Sequence, residues 1–481
     1  MKKIIASLAA ISFLVSPLFA TQSRLGGLGI SNWMIEEDNS NMYFNPARMI
    51  YYPKTIWGEL GTAVGAGVAP RVNNNVTISN QWGGVSGLCP IIEGATVGVF
   101  LNRPYPGILG SAGQNATGSG VTAIPANGFG NNMTALTPQT RFDLFYALPF
   151  SGFKLGALLN VAGDSLSNDN KTTSSPLIAG NTTSNNEISS SEINVVVGAQ
   201  ARDVLFASDL DLALTLGFPS AKNTYKVTQY SGTAWVTTND WIFQTNSSLN
   251  LGITARAAIP LKNNPLLAYF NYTSNNVSNT FTDQIDAGSN SSFNDAGDTN
   301  YKQERTQKQS ALTFGASYNV KTSPKTLMIV AANINQGVAT NNASTTQLRT
   351  AVAGKNQQYD SETTTIALPV NFAIEQSLAK SFAMRMGVSQ NIIQQTTTKT
   401  SAPTLTWNAT TSSYQQTQVA ETTAKTETLG GTTISIGAGI DVFRGLTVDA
   451  VVRQQVLFSG TYLVSGIPET LVSQLSATYK F

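Results

Sequence analysis

The run Ser248-Leu249-Asn250-Leu251-Gly252-Ile253-Thr254-Ala255-Arg256-Ala257-Ala258-Ile259, near the middle of the chain, decides the fold. Its apolar residues fall on every second position and its polar ones between them, so an extended chain has one greasy and one wet face. The same alternation recurs in Leu210, Leu212, Leu214, Leu216 and Phe218, in Ile366, Leu368, Val370, Phe372 and Ile374, and in Phe382, Met384, Met386 and Val388. It closes the chain with Leu471, Leu475, Ala477, Tyr479 and Phe481. No helical period is sustained after residue 20, and no later apolar run reaches the roughly 20 residues of a membrane-spanning helix.

Working outward from this run, the pattern predicts strands near 55–68, 74–88, 94–103, 140–149, 153–163, 191–202, 208–218, 247–259, 266–274, 309–320, 326–334, 364–375, 381–391, 431–442, 446–454 and 471–481. Most are about 9–13 residues long, as tilted membrane strands require. The connections alternate. Short turns at Ser151-Gly152, 203–207, 260–265, 321–325, 376–380 and 443–445 are separated by polar stretches at 104–139, 164–190, 219–246, 275–308, 335–363 and 392–430, read as long external loops. Short turns at one rim and long loops at the other are the pattern of a transmembrane barrel rather than a soluble sandwich.

Charge position sharpens the assignment. Arg141, Asp143, Lys154, Arg202, Asp209, Asp211, Arg256, Glu375, Arg385, Asp441, Asp449 and Arg453 all occupy the parity opposite the apolar residues and are predicted to face the lumen. A charge facing lipid at mid-membrane costs about 2–4 kcal/mol, whereas a polar lumen accepts it. Phe150, Phe153, Phe206, Phe382, Phe443 and Phe481 cluster at the short turns and suit an aromatic girdle. The expected fold is therefore all-β: a transmembrane antiparallel up-and-down barrel of about 14–16 strands with an N-terminal plug, and the strand pattern counts sixteen.

Composition narrows the function. Residues 1–20 carry Lys2 and Lys3, an apolar run and Ala20 at a cleavage position, the pattern of a secretory signal peptide. Without Lys2 and Lys3 the chain has 27 basic and 27 acidic residues, so no basic excess exists to hold nucleic acid. Histidine is absent, which removes the commonest general base and the commonest zinc ligand together. Cys89 is alone and reads as a small hydrophobe. No enzyme activity, cofactor or metal is expected. The acidic stretch from Asp283 to Asp298 fits no calcium-loop spacing, and Glu36, Glu37 and Asp38 are expected to pair with lumen arginines such as Arg141, Arg256 or Arg385 rather than to bind a metal.

Residues 21–54 precede the first strand and lack its alternation. They read Gly26-Gly27-Leu28-Gly29, then Glu37-Asp38-Asn39-Ser40-Asn41-Met42-Tyr43-Phe44-Asn45-Pro46-Ala47. Pro46 fixes its own φ and biases Asn45 towards an extended backbone, which makes Asn45, Pro46 and Ala47 a rigid corner. This segment, over about residues 25–60, resembles the N-terminal region of the FadL-type long-chain fatty-acid and aromatic-hydrocarbon transporter barrels, and of the related type IX secretion shuttle barrels. Arg48 stands where that family commonly has Gly. The resemblance implies fourteen strands and a segment folded into the barrel as a hatch, with the Asn45-Pro46-Ala47 turn inside it.

Three parts are thus expected: a signal peptide over 1–20, a plug over 21–54 and an outer-membrane barrel over 55–481. The stretch 104–139 differs from the other polar stretches in carrying Ile108, Leu109, Phe129 and Met133 among many glycines, and is a candidate capture loop. The expected partners are outer-membrane lipid, a small-molecule solute, and the barrel-assembly machinery of a Gram-negative bacterium, which would read the terminal Phe481. The function expected is passive uptake of small, hydrophobic solutes through a plugged barrel. Its rivals are a general diffusion porin for small polar solutes and a docking barrel for secreted or surface proteins.

Overall fold

The computed structural model describes residues 22–36, 38–61, 82–103, 140–172, 179–204, 206–262, 264–286, 290, 292–293, 299–347, 357–408, 413–428, 431–452 and 472–481. The expected signal peptide over 1–20, Glu37, Arg453, the stretch 104–139 with Ile108, Leu109, Phe129 and Met133, and the predicted strand portions 62–68, 74–81, 453–454 and 471 lie outside the described residues.

The strands are β1 (Thr55–Gly61), β2 (Trp82–Leu88), β3 (Thr96–Leu101), β4 (Arg141–Phe150), β5 (Phe153–Thr172), β6 (Thr182–Val204), β7 (Ala207–Tyr230), β8 (Trp235–Leu261) and β9 (Asn264–Ile285), followed by β10 (Thr299–Ser323), β11 (Thr326–Gln347), β12 (Gln357–Ala379), β13 (Phe382–Asn408), β14 (Ser413–Thr428), β15 (Thr432–Phe443), β16 (Leu446–Val452) and β17 (Val472–Lys480). They form one antiparallel sheet, and β17 pairs with β1 to close it into a ring. Strands β14 and β15 both pair with β13. Gln394 faces Thr428 and Gln390 faces Thr432 in one continuous register, so the two strands are halves of a single stave. The ring therefore has sixteen staves, matching the count from alternation and correcting the fourteen implied by resemblance. Closure leaves no sheet edge within the hydrocarbon, which is what a membrane demands of strands.

The outward face is apolar over a belt. Leu212, Leu214, Phe218, Ile253, Phe314, Ile334 and Phe372 are exposed there, while Asp211, Arg256, Asn333 and Glu375 on the opposite parity are buried. Val197, Leu214 and Ile253 sit side by side on β6, β7 and β8 at the middle of this belt. Replacing Leu214 with Arg is expected to cost about 2–4 kcal/mol. The check is the fraction of chain that migrates as the folded, heat-modifiable form; an unchanged fraction would contradict a lipid-facing belt. At the short-turn rim Phe150, Phe153, Phe206, Phe443 and Phe481 are exposed, and Phe150 and Phe153 lie 4.9 Å apart across their turn.

One expectation fails. The polar stretches at 164–190, 219–246, 275–308, 335–363 and 392–430 are mostly strand rather than loop, and the staves from β5 to β13 run to 20–27 residues. At about 3.3 Å per residue a 24-residue strand such as β7 extends roughly 80 Å, far more than a hydrocarbon layer of about 30 Å needs even when tilted. The chain between β7 and β8 shrinks to Ser231–Ala234, closed by Ser231 N donating to Ala234 O at 2.9 Å. Beyond the membrane most outward positions face water, so Thr, Asn, Ser and Gln lose the apolar alternation while their backbones keep the ladder.

Residues 22–51 form a short helix, α1 (Gln22–Leu28), and three short 3-10 segments over Asn32–Met34, Asn39–Tyr43 and Pro46–Tyr51. The segment touches inward positions of staves from opposite arcs of the ring, β3 to β10 on one side and β12, β13 and β15 to β17 on the other. It therefore lies within the ring.

Candidate functional site

The site is the lumen where the N-terminal segment meets the wall, and it is held by two buried ion networks. In the first, Arg24 of α1 grips Glu375 on β12 with two bonds of 2.8 Å, from Nε and Nη2. The same carboxylate accepts from Arg385 Nε on β13, and Arg385 Nη1 donates to Asp449 on β16 at 2.6 Å. All four side chains are at most 4% exposed. In the second, Arg48 donates from Nε and Nη2 to Asp211 on β7, at 2.8 and 2.7 Å, and from Nη2 to Asp209. Asp211 also accepts from Arg256 of β8, whose Nη1 donates to the Ile35 carbonyl at 3.0 Å. Each carboxylate thus joins one arginine of the segment to one of the wall.

The predicted corner sits in the second network. Asn45 Nδ2 donates to Asp211 Oδ1 at 2.7 Å and to the Ala199 carbonyl at 2.9 Å, while its Oδ1 accepts from Ala47 N and so caps the turn that Pro46 begins. Close backbone contact needs glycine opposite. A Cβ on Gly156 of β5 would lie 2.2 Å from Ala47 N, and one on Gly387 of β13 would lie 1.7 Å from the Leu28 carbonyl oxygen. Further along, Trp33 stacks on Tyr269 of β9 at 4.6 Å, over Gly315 of β10, and the Met34 carbonyl accepts from Ser317 Oγ and Asn319 Nδ2.

Asp38 does not meet a lumen arginine. Its partner is Arg24 of the same segment, at 3.4 Å, and its Oδ1 accepts from Ser40 N at 2.8 Å. The lumen arginines Arg256 and Arg385 are already taken by carboxylates of the wall. Burial pushes the Asp38 carboxyl up to about 6, against the opposing pull of Arg24 and Ser40. A carboxyl raised in the ordered state favours that state below its unfolded value and loses the advantage as pH rises through the raised one. Protection of residues 22–51 from protease is therefore expected to be greater at pH 5 than at pH 7.5; weaker protection at pH 5 would contradict this.

The remaining predicted charges sit lower and higher on the wall. Lys154 Nζ donates to the Tyr51 hydroxyl and lies 4.5 Å from its ring centre, and Arg202 lies over the same ring at 5.1 Å. Asp441 accepts from Thr447 Oγ1 at 2.7 Å. Asp143 on β4 accepts from Arg103 Nε and from Asn160 Nδ2, and Asn160 in turn accepts from Asn194 Nδ2 at 3.0 Å. Arg141 is half-buried at the start of β4. No group of three or more acidic or cysteine side chains suited to a metal occurs among the described residues.

Sequence reading missed three features here. Arg24 and Arg48, the segment's own arginines, carry both anchors, although Arg48 was visible as the departure from glycine. The inward wall of β1 to β5 is partly apolar: Trp57, Trp82, Phe100, Phe145 and Leu158 are buried there against Met42 and Met49, among polar residues such as Glu59 and Asp143. Arg103 lies 4.3 Å from the centre of the Tyr43 ring at the edge of this cluster. Alternation alone cannot find it, because the flanking outward residues are apolar too.

No family model matches the chain, and no curated relative matches its sequence. Among solved structures it is similar to the ferric yersiniabactin uptake receptor FyuA from Yersinia pestis, with 7% identity over 89% of this chain and 79% of that one and a TM-score of 0.32. It is also similar to a Pseudomonas aeruginosa FadL homologue, with 11% identity over 95% and 97% and a TM-score of 0.29. A third is P. aeruginosa FpvA bound to heterologous pyoverdines, with 8% identity over 84% and 64% and a TM-score of 0.27. At these scores the likeness carries no residue-level correspondence.

Proposed function

We propose that this chain is an outer-membrane transport barrel of a Gram-negative bacterium in which residues 22–51 act as a hatch, and that small, apolar solutes pass it passively. The observation that carries the reading is the pairing of both buried carboxylates, Glu375 and Asp211, with one segment arginine and one wall arginine each, from opposite arcs of the ring. A segment held on both sides blocks ions and water unless it shifts. The apolar wall around Trp57, Trp82, Phe100 and Phe145 supports an apolar route beside it. The terminal Phe481, exposed beside the start of β1, suits recognition by the assembly machinery.

The test is conductance in planar bilayers. The full chain is expected to give little steady current, and a variant lacking residues 22–51 a large and lasting one. A large steady current through the full chain would instead make this a general diffusion porin. Faster accumulation of a labelled long-chain hydrocarbon by cells making the full chain is the expected sign of the apolar route, and equal rates with and without the protein would refute it.

A further inference from the structure

Beyond the apolar belt the wall of β7, β8 and β9 turns its polarity inside out. Lys222 and Lys226 on β7 and Gln244 on β8 are exposed on the outward parity. The inward parity holds Ala221, Asn223 and Tyr225 on β7, Trp241 and Phe243 on β8, and Val277, Asn279 and Phe281 on β9. A register shift between Thr245 and Ser247 carries β8 from one pattern to the other. Tyr225 faces Trp241 and Phe243 faces Phe281 across neighbouring strands, with the Tyr225 and Trp241 rings 4.9 Å apart.

A purely structural cluster in water would bury its rings and pair its polar atoms. This one does each only in part. Phe243 and Phe281 are buried as a floor, but Tyr225 and Trp241 are half-buried and keep part of their surface open. Among the described residues, Asn223 Nδ2 and Trp241 Nε1 beside them and Asn279 Oδ1 further along β9 are buried atoms with no hydrogen-bond partner, and Asn223 and Asn279 are 3% and 5% exposed. Buried polar groups are ordinarily paired, so two unpaired N–H donors beside two open rings, with an unpaired amide oxygen four positions along β9 from the residue that faces Trp241, suit a ligand the length of a disaccharide. The neighbouring cation, Arg305 of β10, faces Asn279 and donates from Nε to Asn341 Oδ1 at 2.7 Å.

We propose that Tyr225, Trp241, Asn223 and Asn279 form a binding site for a neutral saccharide on the inward wall beyond the membrane. A sugar ring presents a C–H face to aromatic surfaces and hydroxyls that both donate and accept, which answers an amide N–H, an indole N–H and an amide oxygen at once. A hydrocarbon would leave all three unpaired. The site goes beyond the uptake reading, because it lies away from the hatch and does not depend on it.

The test uses the full chain folded in a detergent without sugar headgroups, titrated calorimetrically with maltose, lactose and diacetylchitobiose, and with phenol and toluene for comparison. At least one disaccharide is expected to bind saturably, with affinity falling roughly tenfold or more in Asn279→Ala and in Trp241→Ala. Trp241→Phe, which keeps one aromatic ring and removes the N–H together with part of the stacking surface, is expected to weaken binding less than Trp241→Ala while leaving the fold intact. The proposal is overturned if none of the three sugars binds, if toluene displaces the bound sugar, or if binding is indifferent to these substitutions.

Discussion

Glu375→Gln is expected to destabilise the folded barrel by about 3–5 kcal/mol, the loss found when one partner of a fully buried ionic group is removed. The carboxylate holds Arg24 bidentately and Arg385 by one further bond, all within side chains at most 4% exposed. Gln keeps the shape but leaves two cations sharing a neutral amide in a place that water barely reaches. Arg24→Met should cost less, since Glu375 then retains Arg385, and Asp38, which loses Arg24, has a carboxyl already raised by burial and can take up a proton. The double variant should recover part of the single Gln loss, because Arg385 still has Asp449. Urea unfolding in micelles measures the first effect, and tryptic cleavage at Arg24 and Arg48, both buried while the segment is docked, reports its release. Glu427→Gln is the control: its pair with Lys425 is exposed, and such pairs contribute at most about 1 kcal/mol. Equal losses at 375 and 427 would remove the case for a fixed hatch.

The second large effect should come from adding one methyl group. Gly387→Ala places a Cβ 1.7 Å from the Leu28 carbonyl oxygen, and Gly156→Ala places one 2.2 Å from Ala47 N. In both cases the obstacle is backbone, which cannot swing aside as a side chain can, so each substitution is expected to cost about 1–3 kcal/mol or more by overpacking. The strain falls on the docked segment and not on the ladder, since alanine is no worse in a strand than glycine. The barrel should therefore still fold and resist heat while residues 22–51 become sensitive to trypsin and steady conductance rises. Gly337→Ala, which meets nothing within 4 Å, should leave both readouts unchanged. Loss of the folded barrel with no release of the segment would mean that these glycines serve the wall alone.

These predictions rest on features of unequal visibility in the sequence. The sixteen staves were found one for one, because lipid tests each outward position separately and leaves its mark on every second residue. Leu214, Ile253 and Phe372 needed no knowledge of their neighbours to be assigned. The full lengths of the staves were hidden for the same reason. Once β7 passes Phe218 its outward residues meet water, and Lys222 and Lys226 read as loop although their backbones stay in the ladder. The inward rings at 225, 241 and 243 then reverse the rule that apolar means outward.

The chain by itself determined the barrel, its belt and the parity of its charges, since each follows from the local cost of placing one side chain in hydrocarbon or in water. Only closure of the ring decided which charges meet. Arg24 and Glu375 are 351 positions apart, and Arg48 and Asp211 are 163 apart, so no local pattern can pair them. Their partnership follows from the segment lying inside the ring, where buried charge is tolerated only when it finds its opposite.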